Sequence, residues 1–161
     1  MALRQIRIYG DEVLARKCRP VKEMTPRLRE LAADMLETMY AAEGVGLAAP
    51  QVGVLRRLVV IDIGEGPLIL VNPVVVEQDG EQDGPEGCLS LPGKAGNVKR
   101  PMHVKVKAKN LDMEDVEIEG EELLARALCH EIDHLDGVMY VEHVEGELYD
   151  TGSEDEEDGE E

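Results

Sequence analysis

The chain has 161 residues, enough for one domain with a sizeable apolar core. It carries 35 acidic against 17 basic residues, and the net charge of −18 argues against a general nucleic-acid binder, which needs clustered Lys and Arg. No run of about twenty apolar residues is present, MALRQIRIYG lacks the apolar stretch of a signal peptide, and three cysteines (Cys18, Cys88, Cys129) without a secretion signal predict free or metal-bound thiols in a reducing cytoplasm.

With no Trp, no Phe and four Tyr, the core has to be built from Val, Leu, Ile, Met and Ala. The first clear element runs from Pro26 to Glu43, where Leu28, Leu31, Met35, Met39 and Ala42 recur at helical spacing. Thr25 suits its N-cap, Pro26 its first position and Gly44 its stop. GVGLAAPQVG (44–53) follows, small and proline-containing, and reads as a tight loop or a short extended piece. Strands are predicted at LVVIDI (58–63), LILVNPVVVE (68–77), MHVKVKAK (102–109) and MEDVEIE (113–119). In the third, Val104 and Val106 alternate with lysines, so one face is wet. EGEELLARALCHEIDHLDG (119–137) returns to helical period, with Leu124, Leu128 and Ile132 on one stripe, Glu121 and Glu122 at the positive N-terminal end and Gly137 at the stop. VMYVEHV (138–144) reads as a last strand.

Strands and two helices without regular βαβ alternation give an α+β fold. Its mostly antiparallel, short strands would pack around the second helix, with an amphipathic helix near the N-terminus. The domain is assigned to 1–149. DTGSEDEEDGEE (150–161) holds eight acids, no base and no apolar residue, and reads as a solvated, disordered tail.

The chemistry concentrates in HEIDH (130–134). Residues four apart on a helix differ by roughly 40° in azimuth and about 6 Å in height, so His130 and His134 can reach one metal ion from one face. Glu131 is rotated about 100° from His130, where a carboxylate can take a proton from a metal-bound water. The bland alternative is a helix with two incidental surface histidines. A third ligand could be His143, Glu142 or Glu145 downstream, or Cys88 upstream in EGCLSLPG; a free Cys taken alone is more often a small core residue. Cys129 points about 100° from His130, which disfavours it.

GVGLAAPQ (44–51), EGCLS (86–90) and HEIDH, in that order, closely resemble the three signature motifs of the peptide deformylases, and the resemblance spans roughly residues 1–148. It implies hydrolytic removal of the formyl group from N-terminal formyl-methionine of nascent proteins in the bacterial cytoplasm. It implies Cys88, His130 and His134 as ligands of one divalent metal, ferrous iron in the cell with zinc or nickel able to occupy the same site. Glu131 resembles the family's general acid/base. Gln51, through its side-chain amide, and the Leu89 N–H resemble its oxyanion donors, and Val45 and Gly46 would lie along the bound peptide. Small residues, among them Gly44, Gly46, Ala48 and Gly87, suit a narrow site that admits a formyl group. Val45, Leu123 and Ala127 are expected to line the methionine pocket, and Glu86 to bond the substrate backbone or end a strand; Asp133 is left open between orienting a neighbouring group and pairing with a base such as Arg100. The partners implied are formyl-methionyl peptides, near the ribosome but without the basic C-terminal helix of some relatives; no membrane or direct nucleic-acid contact and a monomer are expected.

Overall fold

The computed structural model describes residues 2–151. Helix α1 (Pro26–Ala41) starts where its cap predicts: the Thr25 hydroxyl accepts the Leu28 N–H at 3.2 Å and Pro26 occupies the first turn. It stops two residues before Glu43 because the Ala42, Glu43 and Gly44 amides fold back onto the carbonyls of Thr38, Tyr40 and Met39. Its Leu31, Met35 and Met39 stripe is buried.

GVGLAAPQVG forms strand β1 (Gly46–Ala48) and a 3-10 turn over Ala49–Val52. Beyond it come β2 (Leu58–Ile61), β3 (Leu68–Asp79), β4 (Gln82–Cys88), β5 (Leu91–Arg100), β6 (His103–Lys109) and β7 (Asp115–Glu121). Helix α2 (Leu123–Leu135) precedes a 3-10 turn, Tyr140–His143, and strand β8 (Val144–Asp150). One sheet has the order β1-β2-β3-β6-β7 and a smaller one β4-β5-β8, and every pairing between these strands is antiparallel.

Helix α2 lies at the centre. Ten of its thirteen residues are buried, so it has no solvent face beyond its first turn. Leu128, Ile132 and Leu135 pack with Val59, Ile61, Val104 and Val106 of the large sheet, and α1 closes a second core with Leu47, Leu58 and Val60. Gly137 ends α2 at φ +78°, and a Cβ there would lie 2.6 Å from the Ala15 carbonyl oxygen, so both conformation and space require glycine.

Three expectations are corrected. Strands β4 and β5 were not anticipated, because QDGPEGC and LPGKAGNVKR carry Gly, Pro and charge in place of alternating apolar residues. The predicted strand over 138–144 is a 3-10 turn followed by β8: the Glu142 carboxylate accepts the Met139 N–H at 3.4 Å, and buried Tyr140 anchors the turn. Strand β3 is twelve residues long, not short; Asn72, at φ +53°, lies in a register shift between Val71 and Val74. Its side chain accepts the Val21 N–H and donates to the Val21 carbonyl, both at 2.8 Å. Asp150 is the last residue of β8, paired with Lys94, while the rest of the acidic run, 152–161, lies outside the described residues.

An N-terminal extended segment straps these layers together. The Ala2 N–H donates to Asp34 at 2.7 Å, the Arg4 guanidinium to the same carboxylate at 2.9 Å, the Arg7 N–H to the Gln51 carbonyl and the Tyr9 N–H to the Ser90 carbonyl. The Ala2 N–H first, and the Arg4 guanidinium with it, hold the Asp34 carboxyl below its ordinary value against the opposing effect of desolvation. A carboxyl so held stabilises the fold above the ordinary carboxylate range, and the contribution disappears as pH falls through the lowered pKa. Asp34→Asn should therefore lower Tm at neutral pH, and the gap to wild type should close as pH drops below about 4. Melting curves from neutral to acid pH check this; a gap that stays constant shows that Asp34 does not act through its charge.

Candidate metal centre

Helical spacing brings the His130 and His134 rings to 5.0 Å between centroids, nearly edge to face. The third donor comes from the small sheet. Cys88 ends β4 just before the two-residue turn Leu89–Ser90, and its sulfur lies 3.3 Å from His134 Nε2. One donor atom each from Cys88, His130 and His134 lies within 4.8 Å of the other two. The sulfur also accepts the Ser90 N–H and the Gln51 amide, both at 3.4 Å.

Behind His130 sits a buried ionic knot. Glu86 Oε2 receives His130 Nδ1 at 2.5 Å and the Arg100 guanidinium at 2.6 Å; Oε1 receives Arg100 Nε at 3.0 Å and Arg126 at 2.9 Å. Arg100 in turn donates to Asp133 at 2.8 Å, one of the two readings the sequence left open for Asp133. Burial alone would raise the Glu86 carboxyl, but hydrogen bonds from His130 and Arg100 bring it down to about 2. This leaves His130 with Nδ1 bound and Nε2 free to face the donor cluster.

The field around that cluster suits a cation. Burial opposes a charged His130, yet Glu131, Cys88 and Glu86 overcome it and hold its proton affinity well above the usual value. His134 goes the other way: burial first, and then His130, push it down to about 3, so its imidazole is neutral. A soft sulfur, two imidazoles and surrounding carboxylates are a donor set that fits a divalent first-row metal. Two buried polar atoms here, Glu131 Oε1 and His134 Nδ1, have no hydrogen-bond partner among the described residues.

Glu131 borders the cluster, with Oε2 4.0 Å from His130 Nε2. Burial pushes its carboxyl up to about 7, the range of a group that both takes and returns a proton at neutral pH. The backbone of β1 presses against it. A Cβ built on Gly46 would stand 2.5 Å from Glu131 Oε2, so only glycine leaves the carboxylate where it is.

Glu131 and His130 lie in the wall of a pocket of about 480 Å³, between the Gly44–Gly46 segment and the end of β4. Val45 and Leu123, 43% and 47% exposed, sit on it with Ala127, as expected for apolar residues that await a ligand. Gly87 and Leu89 line the opposite side. Gln51 is buried behind Cys88, its amide 3.0 Å from the Ser90 hydroxyl and its carbonyl accepting the Ala48 N–H at 2.9 Å. Glu86 also lines the pocket, but both its carboxylate oxygens are committed to His130 and the two arginines, so its side chain is not available to a substrate backbone. The rival ligands fall outside the donor cluster. His143 lies 3.5 Å from Asp133, and Cys129 is a core thiol that burial pushes up to about 11. Sequence reading missed Ser90 and Arg126. A base one turn before His130 on the same helix face was the available signal for Arg126.

A family model described as Polypeptide deformylase matches residues 3–148. A peptide deformylase of Agathobacter rectalis is 63% identical over 155 residues, covering 96% of this chain and 98% of the relative. One of Lachnoclostridium phytofermentans is 60% identical over 163 residues, covering 99% of this chain and all of the relative. The crystal structure of peptide deformylase from Thermotoga maritima superposes with a TM-score of 0.87 at 41% identity, covering 89% of this chain and 99% of that one.

Removing the Glu86 charge should release both His130 and two buried guanidinium groups. Glu86→Gln is expected to destabilise the fold by about 3–5 kcal/mol, as for one partner lost from a buried ion pair. It should also weaken metal retention by about 10–100-fold. Denaturant unfolding and competition with a chelator measure the two effects; unchanged metal retention in the folded variant would show that Glu86 does not orient His130.

Proposed function

The chain belongs to the polypeptide deformylase family and hydrolyses the formyl group from N-terminal formyl-methionine, and we propose that it does so with Cys88, His130 and His134 holding one divalent metal ion and Glu131 moving the proton. The observation that carries this reading is the convergence of those three donors with a buried carboxylate on one wall of a single pocket. A metal held by Cys88, His130 and His134 would supply Lewis acidity, which would activate a water and polarise the formyl oxygen.

The remaining roles belong to the chain. Glu131 takes a proton from the attacking water and passes it to the leaving amine; its raised pKa matches both halves of that transfer. As the formyl oxygen gains charge, the Gln51 amide and the Leu89 N–H donate to it, each such donor being worth about 3 kcal/mol in comparable sites. The position of Gln51 Nε2 beside Cys88 supports its part. The C–N bond then breaks, giving formate and a free N-terminus. Val45, Leu123 and Ala127 receive the methionine side chain, while the Gly46 and Gly87 backbone runs along the peptide. Close packing of the Gly44–Gly46 and Gly87 backbone beside Glu131 is the basis for a narrow acyl site that favours formyl over acetyl.

A thiolate with two imidazoles suits ferrous iron as the cellular metal, with zinc or nickel as substitutes. Three free cysteines fit a reducing cytoplasm. Among the described residues no helix is long and apolar enough to cross a membrane.

Two variants test the roles. Iron-loaded wild type, kept anaerobic, should release formate from a formyl-Met peptide and no acetate from the acetyl-Met peptide. Glu131→Gln should keep its metal yet lose about 10²–10⁴-fold in kcat; full turnover by that variant would remove Glu131 from the mechanism. Gly46→Ala should displace the Glu131 carboxylate and lower kcat by about a hundredfold at nearly unchanged stability. A fall in stability with normal kcat would mean that Gly46 serves packing alone.

A further inference from the structure

A second cleft, of about 1330 Å³, lies where the N-terminus of α1, the segment before it and the turn before β2 meet. It shares no lining residue with the peptide pocket. Arg19, Lys22, Arg27 and Arg56 line it; the first three are exposed and Arg56 is half-buried. These four are unusual in a chain whose acids outnumber its bases about two to one. Of the seventeen basic residues, ten hold a carboxylate within 4.0 Å among the described residues. Four of the other seven are gathered here, and Arg16 and Lys17 lie just upstream of Arg19, separated from it by Cys18. The one acid on the lining, Glu23, makes no ion pair with them within 4.0 Å among the described residues. Like charges left together repel one another, so such an arrangement costs stability unless an anionic partner offsets it.

We propose that this cleft is a docking surface for the phosphodiester backbone of RNA. Three of the four charges are guanidinium groups, whose planar fork matches two phosphate oxygens at once. The volume exceeds what a lone phosphate fills, and Leu28 and Val54 give the wall an apolar stretch on which a sugar or base face can rest. The substrate points the same way, because a nascent peptide is presented by a particle built largely of RNA. The net charge of −18 excludes a general polyanion binder only when averaged over the surface; contact forces over about 8–10 Å are set by the local cluster. The cleft would hold the enzyme beside its substrate without entering the chemistry.

The test is fluorescence anisotropy of the full chain with a short, labelled, mixed-sequence single-stranded RNA. Four phosphate contacts predict a slope of about −3 for log K against log salt, or about fifty-fold weaker binding between about 50 and 200 mM salt. The combined variant Arg19→Gln, Lys22→Gln, Arg27→Gln and Arg56→Gln should lose binding and most of that slope. Its formyl-Met peptide turnover should stay within twofold of wild type, which also shows that it is folded. Lys107→Gln, an unpaired base on β6 away from the cleft, should bind like wild type. Absent RNA binding by wild type, or equal binding by wild type and the combined variant, overturns the proposal. So does displacement of the RNA by polyglutamate of matched charge, which would make an acidic protein segment the partner.

Discussion

The contact on which the rest of the site depends is the carboxylate of Glu86. It joins three elements far apart in the chain: β4, which carries it, β5 through Arg100, and α2 through Arg126 and His130. Taking these charges out of water is costly, and only the full set of hydrogen bonds offsets it. The knot therefore has one good geometry. In that geometry the small sheet is fixed against α2, and Cys88, two residues beyond Glu86 on β4, arrives beside His134. Orienting the His130 imidazole and placing the Cys88 sulfur are thus consequences of the same ion pairs.

The second constraint is close approach. β1 packs on α2 with glycine at the contact, and the Glu131 carboxylate occupies the space a side chain would take. A carboxyl pressed between backbone and core loses its water, and desolvation raises its pKa into the range useful for proton transfer. Packing and acid–base chemistry here share one cause, the burial of α2 on nearly every side. On the pocket lining, Leu123 of the first turn of α2 and Val45 stay exposed and apolar.

Charge follows a different logic from the core. Most bases of this acidic chain are neutralised locally, such as Lys109 by Asp115 and Arg57 by Asp136. Four of the bases without a carboxylate partner among the described residues sit together in a cleft that no catalytic element lines. Net charge, a sum over the whole chain, hides such a cluster completely.

What the sequence by itself determined is what depends on neighbours along the chain. The Thr25–Pro26 start of α1, the alternation of β6 and the pairing of His130 with His134 on one helix face all follow from local periods and caps. The family motifs carried the candidate ligands, because residue type and order are properties of the chain alone. Tertiary structure decided what those residues face. β4 and β5 are too rich in Gly, Pro and charge to announce themselves, and they become strands only by pairing with each other and with β8. The same dependence turned the 138–144 segment into a buried 3-10 turn. It also drew the Glu86 side chain away from the substrate and into the ionic knot. Long-range ion pairs and strand partners leave no period in the sequence, so only the folded chain could bring Cys88 to the two histidines and gather Arg19, Lys22, Arg27 and Arg56 on one cleft.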